Sequence, residues 1–151
     1  MTLTANDCLK WFGEPEKAAP KWCIVWNKPK TCIIPTIPNR IYMHKLVIPY
    51  WDAVYREICD QELGDIIKTY DGCFQIRNQK GSKKLSLHSW AIPVDINQAE
   101  NQLGKKPTMD MRIVEIFERN GYEWGGRWSR PDGMHFQIKR EIMEQELKLI
   151  K

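Results

Sequence analysis

Residues 86–96 read Ser86-Leu-His88-Ser-Trp90-Ala91-Ile92-Pro93-Val94-Asp95-Ile96. In an extended chain Ile92, Val94 and Ile96 point to one face, and Ala91, Pro93 and Asp95 to the other. The alternation predicts a strand over 91–96, with His88 in the turn leading into it. Asp95 then sits opposite the apolar face. A carboxylate buried there needs a partner, because an unpaired charge is expensive to remove from water.

Outward from this strand the pattern is mixed. His135 to Ile138 reads as a second strand, and 72–77 as a third. Residues 78–84 are polar, carry Gly81 and read as a loop, and Tyr122-Glu-Trp-Gly-Gly126 reads as a loop or short strand. Trp51, Val54, Tyr55 and Ile58 repeat at helical spacing, which predicts a helix from about Pro49 to a stop at Gly64. A second helix is predicted over 108–120, with Thr108 as N-cap, Asp110 near its positive end and Gly121 closing it. A terminal helix over 140–150 turns Ile142, Leu147 and Ile150 inward. Strands and helices do not alternate as βαβ units, so the fold class is α+β, a small antiparallel sheet flanked by helices.

The chain has 151 residues, which predicts a single domain over 1–151. Residues 1–40 hold Pro15, Pro20, Pro29, Pro35 and Pro38 and read as an irregular arm. Trp11, Trp22 and Trp26 lie in that arm, so it should wrap on the core rather than hang free. Hydrophobic residues make up 42% and charged residues 28%, a globular composition. No window is apolar enough for a membrane helix, and the start lacks the pattern of a signal peptide, so synthesis in the cytoplasm and no membrane partner are expected. Lysine and arginine number 23 against 19 acidic residues, a net +4 that suits an anionic polymer. The cations are scattered, with no arginine stripe and no nucleic-acid motif, so nucleic acid is not the expected partner. Five cysteines, an odd count without CxxC spacing, read as buried free thiols rather than a disulfide framework.

The chemistry gathers around two of the three histidines. His88 and Asp95 lie in the first segment. His135 lies in the second, Trp124-Gly-Gly-Arg-Trp128-Ser-Arg-Pro-Asp132-Gly-Met-His135-Phe. If His135 is on a neighbouring strand, the two histidines and Asp95 form three protein ligands with an open fourth position, the pattern of a catalytic zinc site. Asp132 would then stand at the open side as an uncoordinated carboxylate able to carry a proton. Arg77 is the best-placed cation for an oxyanion. Each residue also has a plainer reading. A lone histidine or buried aspartate can be structural, Arg77 can be a surface ion-pair residue, and Ser86 a turn residue. Trp90, Trp124 and Trp128 suit core or pocket wall, and His44, at an expected helix start, has no evident partner.

Ser86-x-His88-x-x-Ala91-x-Pro93-x-Asp95 resembles the SxHxxGxAxD signature of the M15 zinc peptidases. These are the D-alanyl-D-alanine carboxypeptidases and dipeptidases and the phage L-alanyl-D-glutamate endopeptidases. Trp124-Gly125-Gly126 with the later Asp132-Gly-Met-His135 resembles the second signature of the family. The resemblance spans about residues 35–140. It implies a fold with a central antiparallel sheet, and one zinc ion (Zn2+) held by His88, Asp95 and His135. It implies Asp132 as catalytic base and acid, Arg77 as the group that polarises the scissile carbonyl, and Ser86 and Trp128 as substrate-binding. The implied activity is hydrolysis of the peptidoglycan stem peptide, as an L-alanyl-D-glutamate endopeptidase similar to phage endolysins. A D-alanyl-D-alanine carboxypeptidase is the alternative, and a non-catalytic zinc- or peptidoglycan-binding relative is another. The implied protein is a monomer that reaches the cell wall after holin-type release or from a virion. Three departures stand out: Ala91 and Pro93 replace the glycine and alanine of the signature, with both expected on the metal-facing side of the strand. Gln137 stands near where many members carry an acidic residue, which bears on how His135 is oriented.

Overall fold

The site sits on one face of an antiparallel sheet whose other face is the core. The computed structural model describes residues 1–150. Strands β3 (Tyr70–Gly72), β4 (Val94–Ile96), β5 (Tyr122–Trp124) and β6 (His135–Ile138) pair in the order β3-β4-β6-β5. Asp95 is directly opposite His135, and Gln137 directly opposite Glu123. Opposed residues share a face, so Asp95, His135, Gln137 and Glu123 form one polar row across β4, β6 and β5. Val94, Ile96, Phe136, Ile138, Tyr122 and Trp124 form the other, buried face.

Helices α3 (Ile48–Asp60) and α4 (Met111–Arg119) supply the rest of that core. Their apolar stripes bury Trp51, Val54, Tyr55, Ile58, Ile113, Ile116 and Phe117. Phe117 stacks on Phe136 with ring centroids 4.0 Å apart, which fixes α4 against the strand that carries His135. A fully buried side chain of this size contributes about 1.5–3 kcal/mol. The arrangement is α+β, as the patterning predicts. Among the described residues no helix is long and apolar enough to cross a membrane.

Several elements differ from the sequence reading. Residues 1–40 are irregular only in part: 28–39, with Pro29, Pro35 and Pro38, carry neither helix nor strand, but the stretch before them forms α1 (Ala5–Phe12), α2 (Pro15–Trp22) and β1 (Cys23–Asn27), which pairs antiparallel with β2 (Arg40–His44). Thr4 and Asp7 make a reciprocal capping box at α1, and Pro15 occupies the first turn of α2, where its missing N–H is harmless. The segment does wrap on the core, with Leu3, Cys8, Phe12 and Trp26 buried. Helix α3 ends before Gly64, with Glu62 in the left-handed region. The third strand lies earlier than 72–77: beyond Gly72 the chain leaves β4, and Gln75 donates its N–H to the His88 carbonyl instead. Asp110, not Thr108, caps α4, accepting the Arg112 backbone N–H, while Thr108 donates to the Glu100 carbonyl. The last helix, α5 (Arg140–Leu149), buries Met143 and leaves Ile150 exposed.

The cysteines are also corrected. Cys8, Cys23 and Cys73 are buried free thiols, but Cys32 and Cys59 form a disulfide. The segment before β2 folds back over α3 and brings their Cα atoms to 6.2 Å, a proximity that spacing along the chain does not encode. Closing a loop with 27 residues of separation stabilises a fold by about 3–4 kcal/mol on a chain-entropy basis.

His44 ends β2 rather than starting a helix. It is buried, with the Phe12 and Trp22 rings at 4.4 and 5.5 Å, and its Nδ1 accepts the Leu46 N–H. Burial, with a smaller push from Lys45, lowers its pKa to about 3 from the ordinary 6.5. Between those values the unfolded chain binds a proton that the folded chain does not. Stability is therefore whole above about pH 6.5 and falls as pH drops towards 3, by at most about 1.4 kcal/mol per pH unit from this group. His44→Asn keeps an acceptor for Leu46 and does not titrate. Urea melts between pH 6.5 and 4.5 should show a steeper loss in the wild type than in His44→Asn; parallel curves would contradict the assignment.

Candidate metal centre and its cavity

His88 lies on a 3-10 turn, Leu87–Trp90, that precedes β4. Ser86 caps this turn: its Oγ accepts the His88 backbone N–H at 3.2 Å. Ala91 ends it at φ 56°, in the left-handed region. That conformation is where a glycine is most comfortable and costs an alanine about 1–2 kcal/mol. Ala91 and Pro93 both precede β4, so neither lies on the metal-facing side of a strand. Pro93 therefore withholds no N–H from the ladder.

One ligand atom from each of His88, Asp95 and His135 lies within 4.8 Å of the others, and all three residues are buried. The outer hydrogen bonds decide which ring atoms face inward. His88 Nδ1 is 2.8 Å from the Cys73 carbonyl, which can only accept, so Nδ1 carries the proton and Nε2 a lone pair. Nε2 stands 3.0 Å from Asp95 Oδ2 yet makes no aligned hydrogen bond; it is a buried polar atom without a partner. His135 Nε2 donates to Gln137 Oε1 at 2.8 Å, which turns Nδ1 towards Asp95 Oδ1 at 3.1 Å. Two imidazole nitrogens and a carboxylate thus converge on one point. This donor set fits a divalent metal ion, and the Cys73 and Gln137 oxygens orient the rings as outer partners do in metal sites.

The electrostatics agree. Burial alone would raise the Asp95 pKa, but the neighbouring His135 above all, then His88, outweighs it and holds the carboxyl well below its ordinary range. Burial would lower the His135 pKa, but Asp95 above all, then Asp132 and Gln137, raises it. Either a proton or a cation can therefore occupy the space between His135 and Asp95, and binding a cation displaces the proton.

Asp132 is outside this trio. Its Oδ2 is 3.9 Å from His135 Nδ1, and its side chain keeps 21% exposure. Burial pushes its pKa up and the Asp95 charge adds to the rise, while His135, His88 and Arg77 oppose it. A carboxyl raised in this way, and not tied up as a ligand, is suited to taking and returning a proton. Trp128 packs its ring 5.4 Å from the His135 ring and donates Nε1–H to Glu123. Arg77 is exposed, but its backbone is fixed by Ser89, whose Oγ accepts the Arg77 N–H and donates to its carbonyl. The sequence reading missed that clamp.

Gly125 explains the Trp-Gly-Gly segment. Its carbonyl accepts the N–H of Asp132 at 2.9 Å and of Trp128 at 3.1 Å. A Cβ there would lie 2.5 Å from the Asp132 carbonyl oxygen, and one on Gly126 would run into the Trp124 ring. Gly125→Ala is expected to lower stability by about 1–3 kcal/mol through overpacking, and to displace Asp132. Thermal melting and metal content check this; wild-type melting would contradict it.

Arg77, Ser86, Trp128, Asp132 and the trio line one cavity of about 930 Å³. A second cavity of about 240 Å³ shares Arg77, His88 and Asp95 with it. Thr2–Asn6 form part of the larger wall, which the sequence reading did not foresee. Arg77, Lys80, Lys84 and Arg130 also line it without an ion pair among the described residues. Carboxylates by contrast engage Arg56, Arg112, Arg119, Arg127 and Arg140.

Residues 80–138 match the family model of M15 peptidases described as D-alanyl-D-alanine carboxypeptidase. The matched stretch contains His88, Asp95, Asp132 and His135. Arg77 lies just outside it. No curated protein matches the chain.

Proposed function

We propose that this chain, of M15 type over its site-bearing residues, is a zinc metallopeptidase that hydrolyses the peptidoglycan stem peptide as an L-alanyl-D-glutamate endopeptidase. The observation that carries the reading is the convergence of His88 Nε2, Asp95 and His135 Nδ1 beside the uncoordinated Asp132. Those three residues hold the ion. Zinc, when bound, polarises the scissile carbonyl and makes water nucleophilic near neutral pH. Asp132 takes the proton of the attacking water and passes it to the leaving amine. The Arg77 guanidinium faces the oxyanion, its backbone held by Ser89. Ser86 and Trp128 shape the wall that receives the peptide.

Two features favour an endopeptidase. The two cavities meet at Arg77, His88 and Asp95, so a peptide can continue on both sides of the site. The unpaired cations suit an acidic peptide such as one with a free glutamate carboxylate. The description of the matching family favours the second reading, a D-alanyl-D-alanine carboxypeptidase. A stem pentapeptide with its C-terminus amidated separates them. The endopeptidase cuts it between L-alanine and D-glutamate about as fast as the free acid. A carboxypeptidase leaves the amide intact and releases D-alanine from the free acid, and that result would replace the proposal.

A further inference from the structure

We propose that Gln137 is a positioning residue: it fixes the tautomer and ring of His135 and ties them to the N-terminal segment. This rests on the metal reading above. His135 and Gln137 are two apart on β6 and share its polar face. Gln137 is 2% exposed and both ends of its amide are engaged. Its Nε2 donates to the Leu3 carbonyl at 3.3 Å. A carbonyl can only accept, so the amide nitrogen must face Leu3 and the amide oxygen must face His135. The oxygen accepts His135 Nε2–H at 2.8 Å, which leaves Nδ1 as the ligand atom. Leu3 is itself 2% exposed, anchored in the core, so its carbonyl is a fixed post. A second tie runs beside the first. Thr2 Oγ1 donates to Glu123 Oε2 at 3.1 Å, the oxygen that also takes Trp128 Nε1–H at 3.2 Å. The N-terminal segment thus braces a ligand and a wall of the same cavity from over a hundred residues away.

The test is zinc affinity, measured by chelator competition on the full chain, with melting of the metal-free protein alongside. Gln137→Met keeps the volume and loses the acceptor. It is expected to weaken zinc binding about 10–100-fold. Gln137→Glu still offers an oxygen to His135 Nε2–H, so its affinity should stay within about threefold of wild type. It cannot donate to Leu3 and sets a negative charge against that carbonyl, so its metal-free melting temperature should fall. Should Gln137→Met not melt cooperatively, Gln137→Asn withdraws the oxygen by one methylene and carries the same expectation. Wild-type affinity in Gln137→Met, or an equal loss in Gln137→Glu, overturns the inference while leaving the metal centre standing. A wild-type chain that binds no zinc overturns the metal reading and this inference with it.

Discussion

Asp132→Ala is expected to lower turnover by about 10²–10⁴-fold, the range of a lost general acid–base group, while zinc stays bound at wild-type stoichiometry. The separation follows from geometry. Three ligand atoms converge from His88, Asp95 and His135, and Asp132 is not among them. Its carboxylate stands 3.9 Å from His135 Nδ1, on the cavity side. Its place is set by its backbone, through the bond from its N–H to Gly125 and the acceptance of the His135 N–H at 3.1 Å. Alanine keeps both backbone bonds, so the loop should hold. Atomic emission for metal and hydrolysis of a stem peptide for turnover check the two halves. Residual turnover within about tenfold of wild type would remove Asp132 from the proton-transfer role.

His88→Ala is expected to lose the metal itself. The change removes the unpartnered Nε2, and the affinity loss should exceed the about 10–100-fold that follows when a ligand loses only its outer hydrogen-bond partner. It also strips the Cys73 carbonyl of its 2.8 Å donor, and a buried acceptor left alone costs about 1–3 kcal/mol. The metal-free variant should therefore melt lower than metal-free wild type and yet fold. Equilibrium dialysis against zinc, with circular dichroism for folding, checks this. A folded His88→Ala chain with stoichiometric tight zinc would move the centre elsewhere; equal metal loss in Asp132→Ala would show that the roles are misassigned.

The parts legible in the sequence are those set by local period. Val94 and Ile96 against Asp95 gave the orientation of β4, and the stripe from Trp51 to Ile58 gave α3. The two spaced motifs were legible for the same reason, since each spans a dozen residues or so. What was hidden depends on chain path. The Cys32–Cys59 bond follows from how the segment before β2 crosses α3. The bond from Gln137 to Leu3 joins residues 134 positions apart, which no spacing rule anticipates. The short N-terminal helices carried their own signals, a Thr4–Asp7 capping box and Pro15 at a first turn. Five prolines nearby made the whole stretch read as irregular. The strand alternation puts Ala91 on the metal-facing side, whereas in the structure it precedes β4 and the demand on it is one of backbone angle.

The most direct test of zinc-dependent stem-peptide hydrolysis is mass spectrometry of purified peptidoglycan digested with the zinc-loaded chain, beside Asp132→Ala and a chelated control. The expected result is new L-alanine carboxyl ends and D-glutamate amino ends in the first digest alone. Undigested peptidoglycan with zinc still bound would contradict it and leave a wall- or metal-binding protein that does not cut.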